Sequence, residues 1–548
     1  MAKIRNPLMV INVVEGGTTP PVEEQELFLC RVIDWEGTIL KEEWLPAGAT
    51  FTMPADPTYE GLVFDGWSGP VDLVDNAVVV DDMDLIFGAM YHTASGLTEI
   101  DIELTPDTGL SVNIGLGSKD WGDGTSNNDY SHTYADYGKY TIKYDGKFSA
   151  STSYNINVFG SGNNYYVKSI RFGTKLSAEI PAYAFHDCKE LETILISYSS
   201  TSGRLGMLSN CSKLKCIVFP NTVTMIQSGF TGIGASTIVL PNSITSLTET
   251  FRNTNVEYLS INTNATISSS DTYFLADNYL LKRAFAKLNG IAGTYTLYNC
   301  YKLEKVKIEI KTGTSIGNYF LSTCRILKEF ELASTTLTTT SSICDGCYLL
   351  EKAILPDSIT TISGTLFNNN YALKEVHLPQ NLKTISGGMF AYTSNLDFSK
   401  LTFPTTLTSM RDIGASAYSN AVVLPPNVTS VGNLYSYSRV YGVVELPDSI
   451  TTMGAIQYWA NATAVIMPAS LTAISSNSFG RDCPNIRLYD FTKVSVVPTL
   501  TYSASYTFAN INQLCKIVVP DALYDEWIVA SGWANFVNYI VKASDYSN

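Results

Sequence analysis

From about Val167 to Pro520 the chain repeats itself, and a chain that repeats over some 350 residues does not close around one compact core. An apolar residue followed by proline recurs at Phe219-Pro220, Leu240-Pro241, Leu355-Pro356, Leu378-Pro379, Phe403-Pro404, Leu424-Pro425, Leu446-Pro447 and Met467-Pro468. From Pro356 onward successive prolines stand 23, 25, 21, 22 and 21 residues apart, and Pro241 to Pro356 is 115, five times 23. A second recurrence lies upstream of the prolines. Cys188, Cys211, Cys300, Cys324, Cys347 and Cys483 are each followed by an apolar residue at plus three and plus eight, and mostly at plus six. Alternation from plus six to plus eight predicts one short strand per repeat, ended where proline withholds a ladder N–H. The Thr-rich segment after each proline reads as a turn.

With Ser358-Ile359-Thr360-Thr361-Ile362 and Ala182-Tyr183-Ala184-Phe185-His186-Asp187-Cys188 as typical pieces, this register resembles the BspA-like (Treponema-type) leucine-rich repeat. The resemblance implies a curved solenoid with a parallel sheet along one face, roughly fifteen turns and about 70 Å long. Residues 262–300 fit the register badly, and Ala276–Leu281 to Thr294–Leu297 is expected to form a hairpin insertion. The last turn needs a lid. Asp521 is placed as the N-cap of a C-terminal helix with Leu523, Trp527 and Ala530 on its inner face, completed by Phe536 and Tyr539-Ile540-Val541.

The part before the repeats divides in three. Residues 1–25 are an apolar N-terminal peptide and a Gly/Pro/acid linker; the peptide either docks to a partner or is the first strand of the next domain. Residues 26–95 alternate as short strands. Val32–Lys41, Pro54-Ala55-Asp56-Pro57 and Tyr59–Ser68, with Glu60-Gly61 and Gly66-Trp67, resemble the internalin B-repeat, a ubiquitin-like β module, which implies a spacer or stalk. Residues 96–160 carry Asp120-Trp121-Gly122-Asp123-Gly124-Thr125, then Ser131-His132-Thr133-Tyr134, and resemble the polycystic-kidney-disease (PKD) domain, an Ig-like sandwich. Gly122 and Gly124 stand where calcium ligands would be needed, so the Asp cluster is read as a hydrogen-bonded turn. The expected fold is therefore mainly β: two small β domains, a leucine-rich-repeat solenoid over 161–520 and a helical cap over 521–548.

Charge narrows the partners. Residues 1–148 hold 8 Lys/Arg against 25 Asp/Glu, whereas 149–548 hold 28 against 26. With net charge −15 and no basic run, nucleic acid and anionic membrane are excluded as partners. No stretch of 18 apolar residues offers a membrane span, and Asn6, Pro7 and Asn12 interrupt the only signal-like run. Six of the ten cysteines share one repeat position, so they read as a column of buried thiols rather than a zinc site, although Cys344 and Cys347 are spaced CxxC. Free thiols point to assembly in a reducing cytoplasm.

Neither nucleophile motifs nor phosphate loops are present, and Glu42-Glu43 and Asp81-Asp82 read as solvated surface, so no enzyme, metal or cofactor is expected. What remains is binding. Tyr435, Tyr437, Tyr441, Tyr458 and Trp459 concentrate aromatics amid hydroxyls in neighbouring repeats and suit sugar rings or protein loops; the alternative is that they fill the repeat's Phe position. BspA-like proteins of bacteria usually carry a signal and an anchor. The start of this chain instead is similar to accessory structural proteins of tailed phages, which implies a virion protein docked to other virion proteins through Ile4, Pro7, Leu8, Val10 and Ile11, with the solenoid facing host protein or glycan. A bacterial surface adhesin and, more remotely, a polysaccharide depolymerase are the alternatives, and a homo-oligomer is left open.

Overall fold

The computed structural model describes residues 25–114, 117–146, 159, 166–175, 184–197, 208–226, 229–247, 251–268, 272–291, 293–412, 424–434, 440–476, 478–501 and 506–546. The expected strand is present before Pro220, Pro241, Pro356, Pro379, Pro447 and Pro468, while before Pro404 a 3₁₀ turn, Phe398–Lys400, takes its place. Tyr258–Asn262, Arg283–Leu288, Lys305–Ile310, Glu329–Ser334, Lys352–Ile354 and Glu375–His377 pair in that order, all parallel. Arg283↔Lys305, Lys305↔Glu329 and Glu329↔Lys352 partners are one repeat apart, so each turn adds one strand. The inward residues of this alternation, such as Val306, Ile308, Phe330 and Leu332, are buried.

Two expectations for the solenoid need correction. The Thr-rich segments are strands, not turns: Thr339–Thr340, Thr361–Ile362, Thr384–Gly388 and Ser409–Asp412 begin a second parallel sheet that continues to Thr499–Leu500. Two-residue strands carry no readable period. What holds them is a hydroxyl ladder, in which Thr429, Thr451 and Thr472 each donate both N–H and Oγ1–H to a threonine carbonyl one turn back. Nor do residues 276–297 form a hairpin: Arg283–Leu288 lies parallel between its neighbours as an ordinary turn. Asn278 there occupies the cysteine position and no proline comes after it, which hid the register.

Both ends are closed by the chain. Residues 26–95 contain β1 (Leu27–Ile33), β2 (Ile39–Pro46), β3 (Thr50–Thr52), β4 (Leu62–Ser68), β5 (Ala77–Val79) and β6 (Leu85–Thr93). Four of them form a sheet in the order β2-β1-β6-β4, with β1 and β6 parallel and the outer pairs antiparallel. Then β7 (Thr98–Leu104) pairs antiparallel with Gly138–Tyr144 on one side and with Val167–Arg171 on the other, and the latter pairs parallel with Thr193–Leu195. The sheet of residues 96–146 thus runs into the solenoid, and one apolar core extends from Ile100 to Ile540. Trp121 is buried in it; Asp120 accepts from the Gly122 N–H at 3.0 Å and Asp123 from Thr125 N–H at 2.9 Å, which holds the turn as expected.

At the far end, 3₁₀ turns Asp521–Leu523 and Trp533–Tyr539 flank a single α turn, Tyr524–Trp527, with Trp527 and Trp533 packed edge-on to Phe491. Asp521 is not the N-cap; Pro520 is, and the Asp521 carboxylate accepts from the Ser544 N–H at 3.0 Å. Ile540–Lys542 adds a final parallel strand beside Lys516–Val519.

The β1–β6 module does not stand off as a spacer. It lies on the solenoid's first sheet: Ile33, Ile86 and Met90 pack on Cys216, Val218 and Val239, and Phe28 meets Phe285 edge-on at 5.8 Å. Asn221 Nδ2 donates to Trp67 O at 3.0 Å and the Ser68 hydroxyl to Phe219 O. Around this apolar contact run ion pairs, Arg283–Asp84 at 3.1 Å, Lys287–Asp82 at 2.6 Å, Lys287–Asp81 at 2.8 Å, Lys307–Asp82 at 3.1 Å and Lys305–Glu26 at 2.6 Å. Asp81 is exposed, as expected, and pairs from the rim of this seam, whereas Asp82, also expected as solvated surface, is half-buried within it.

Candidate functional site

The exposed edge of the solenoid is built from one turn of backbone repeated. At the cysteine position the side chain is buried and donates to a carbonyl of the turn before: Cys211 to Phe185 O at 3.2 Å, Cys324 to Leu297 O at 3.1 Å and Cys347 to Leu321 O at 3.1 Å. Asn278 donates to Phe251 O at 2.9 Å and Asn370 to Cys344 O at 2.7 Å in the same manner. Desolvation pushes the column's Cys483 thiol up to about 11, and the Cys30 and Cys515 thiols outside the column up to about 12, so these are protonated and not nucleophiles. The residue just before each donor turns the chain through left-handed backbone: Asp187, Asn210, Asp277, Asn299, Thr323, Asn369, Tyr392, Tyr458 and Asp482 have φ between 52° and 64°. Asp and Asn tolerate that conformation best among residues with a Cβ, and their side chains then bond along the column, as Asn210 does to Asp187 at 3.0 Å and Asn299 to Asp277 at 3.1 Å.

Tyrosines flank this column on both sides. Just after the donor come Tyr279, Tyr301, Tyr348 and Tyr371, with Arg325 in the intervening turn; the rings of Tyr279 and Tyr301 stack at 5.4 Å, those of Tyr348 and Tyr371 lie at 5.5 Å, and Arg325 sits 5.1 Å over Tyr301. Five residues before the donor come Tyr273, Tyr295 and Tyr319, stacked at 5.1 and 5.2 Å, with Arg252 closing the row 4.5 Å over Tyr273. Their backbones too are left-handed, at φ 68°, 56° and 55°. Such a residue costs about 1 kcal/mol or more, three times in succession. Asp277 joins the rows, pairing with Arg252 at 2.8 Å and lying 3.5 Å from the Tyr279 hydroxyl. Exposure of Tyr279, Tyr301, Tyr319, Tyr348 and Tyr371 runs from 37 to 45 %.

Of the residues singled out in sequence, Tyr441 is exposed at the start of the Tyr441–Glu445 strand, and Tyr458 is half-buried under the Arg481 guanidinium at 5.4 Å. Trp459 is not a surface residue: it is fully buried at the cysteine position, and its indole N–H donates to Leu434 O at 3.2 Å. Tyr435 and Tyr437 lie outside the described residues, as do Ile4, Pro7, Leu8, Val10 and Ile11. Sequence reasoning misses the tyrosine rows although their signal is present, since a Tyr comes directly after the donor in Asn278-Tyr279, Cys300-Tyr301, Cys347-Tyr348 and Asn370-Tyr371. Among the described residues no group of three or more His, Cys, Asp or Glu is placed to hold a metal ion, and no helix is long and apolar enough to cross a membrane.

A parallel two-sheet solenoid with a donor ladder and a left-handed Asx column defines a leucine-rich-repeat protein. The chain belongs to the BspA-type family within that class: the BspA type leucine rich repeat region matches residues 155–282, 291–422 and 416–525. No curated protein matches the chain. Among solved structures it is similar to a leucine-rich repeat protein from Bacteroides ovatus, at 16% identity over 61% of this chain and 94% of that one, with a TM-score of 0.36. It is also similar to a leucine rich cell surface protein from Faecalibacterium prausnitzii, at 16% identity over 48% and 80%, TM-score 0.25. The pneumococcal vaccine antigen PcpA is similar at 13% identity over 78% and 99%, TM-score 0.29.

Proposed function

We propose that the protein is an adhesin, a non-catalytic binding protein that holds its ligand on the tyrosine-lined edge of the solenoid. The observation that carries this reading is the pair of tyrosine rows bordering the Asx column, one exposed and the other half-buried up to the exposed Tyr319, aromatic edges beside amides and hydroxyls in one surface. The sheet face of the early turns is taken by the β1–β6 module and is closed to a ligand. The acids that a hydrolase would need are engaged elsewhere, Glu42 with Arg31 at 2.7 Å and Asp81 and Asp82 with Lys287. The test is adherence of purified protein to host cells and mucus. The variant carrying Tyr301→Ala, Tyr348→Ala and Tyr371→Ala is expected to lose it, and undiminished adherence of that variant sinks the reading.

The platform is a tailed-phage virion, docked through residues 1–25, with a bacterial cell surface as the alternative; the start of the sequence supports the former. Deleting residues 1–20 should abolish incorporation into particles, and particles that still carry the truncated protein refute virion docking through this segment. Shortening of host polysaccharide chains by the purified protein would overturn the non-catalytic reading.

A further inference from the structure

The rows constrain the shape and chemistry of what they can hold. The rings lie face to face at interplanar angles of 16° and 9° along Tyr273, Tyr295 and Tyr319 and 21° between Tyr279 and Tyr301, and are tilted at 30° between Tyr348 and Tyr371. Those faces are spent largely on each other, on Arg252 at the end of one row and on Arg325 in the middle of the other. What a ligand meets is therefore ring edges, phenol hydroxyls and the side chains of the Asx column, a surface that hydrogen-bonds. Apolar peptide side chains would want the faces. Along the line of the rows the contacts recur from turn to turn, with neighbouring ring centroids 5.1 to 5.5 Å apart and Arg325 in place of a tyrosine in the middle turn of the outer row. From Tyr279 to Tyr371 that line crosses four strand spacings, on the order of 20 Å. Formal charges along the strip balance, because Arg252 is paired with Asp277 and Arg325 is matched by Asp345, which accepts from Asn369 in the column one turn on.

We infer that this strip binds a neutral linear polysaccharide lying along the solenoid axis, one sugar unit to about one turn. A loop of a folded protein offers no such repeat, whereas a chain of hydroxyl-bearing rings offers it indefinitely. Each subsite is shallow, so affinity accumulates through several equivalent weak contacts on one polymer. The inference rests on the adhesive reading and deepens it by naming the ligand class.

The experiment uses the full chain in affinity electrophoresis and calorimetry with mixed-linkage β-glucan, a linear mannan and a linear xylan, and with hyaluronan as the anionic comparison. Retardation by at least one neutral polymer is expected, with the hexasaccharide of that polymer binding at least about a hundredfold more tightly than its monosaccharide. The triple variant Tyr301→Phe, Tyr348→Phe and Tyr371→Phe keeps the stacking and removes three hydroxyls, and should weaken binding by about tenfold or more; Tyr441→Phe, off the strip, should not. Retardation by no neutral polymer, equal affinity for monosaccharide and hexasaccharide, or an unaffected triple Phe variant overturns the inference. Adherence lost in the triple Ala variant without any polysaccharide binding leaves the adhesive reading standing and removes only the ligand class. Adherence intact in that variant removes the reading itself.

Discussion

At one position of this repeat a thiol, a carboxamide and an indole perform the same task. Cys324, Asn370 and Trp459 are all buried and all aim a donor at a carbonyl in the preceding turn. The requirement is an N–H or S–H at that point, since a buried carbonyl left alone costs about 1–3 kcal/mol. Asn370 overshoots it, because its Oδ1 is buried with no partner. Asn370→Cys should therefore be neutral or stabilising, while Asn370→Ala should lower stability by about 1–3 kcal/mol in urea unfolding. A marked loss from the cysteine variant would refute the shared task. The buried thiols should also resist a thiol reagent at pH 8 until urea is added, and rapid labelling of the native protein would contradict their placement. The cysteine column was legible in the sequence as buried filler. Its donor role was not, because hydrogen bonding between turns depends on which carbonyl lies opposite, and spacing alone does not tell.

Among the elements, the strands of the sheet from Tyr258–Asn262 to Glu375–His377 stack in a register marked by charge. The residue entering each strand alternates through Glu257, Lys282, Glu304, Lys328, Glu351 and Lys374, and consecutive pairs close at 2.7, 3.0 and 2.9 Å for Lys282–Glu257, Lys328–Glu304 and Lys374–Glu351. Each exposed pair contributes little, about 0.2–1 kcal/mol, but a slip by one turn would set like charges against each other throughout. Glu304→Lys would place three lysines in succession and should cost about 1 kcal/mol at low ionic strength, with much of the loss recovered at about 1 M salt. A salt-independent loss would mean packing rather than charge. The second sheet shows the limit of reading elements from sequence. A pair such as Thr361-Ile362 has no period of its own, and only the stacking of equivalent threonines makes it a strand.

For the whole molecule the decisive event is the folding of the β1–β6 module onto the solenoid. Gly88 faces Val218 so closely that an added Cβ would sit 2.5 Å from Val218 Cγ2, and the short branched side chain has little room to yield. Gly88→Ala should loosen the module, seen as a larger radius of gyration in solution scattering with the solenoid's melting unchanged; an unaltered radius would show that the seam tolerates it. The seam also responds to pH. Burial raises the Asp84 carboxyl to about 6, against the opposing pull of Arg283 and of the Leu29 N–H, with Glu26 and Lys305 also facing it. A raised folded-state value means that ionising Asp84 opposes docking, so this penalty, on the order of 3 kcal/mol at neutral pH, fades as pH falls through 6 toward 4. Burial also works to raise Asp82, but Lys287 and Lys307 overcome it and bring the carboxyl to about 2, so its contribution is present above pH 4 and is lost only as pH falls from there toward 2. The module should melt at a higher temperature at pH 5 than at pH 8, and Asp84→Asn should erase the difference; a difference that survives this change would place its origin elsewhere. The sequence alone determined the solenoid and its period, because stacking needs only the same apolar and turn residues to return at the same interval. It also showed that the acidity is gathered in the first quarter of the chain. Only the tertiary structure decided that this acidity meets Arg283, Lys287, Lys305 and Lys307, and which tyrosines share an edge, because both are contacts between residues that no local pattern brings together.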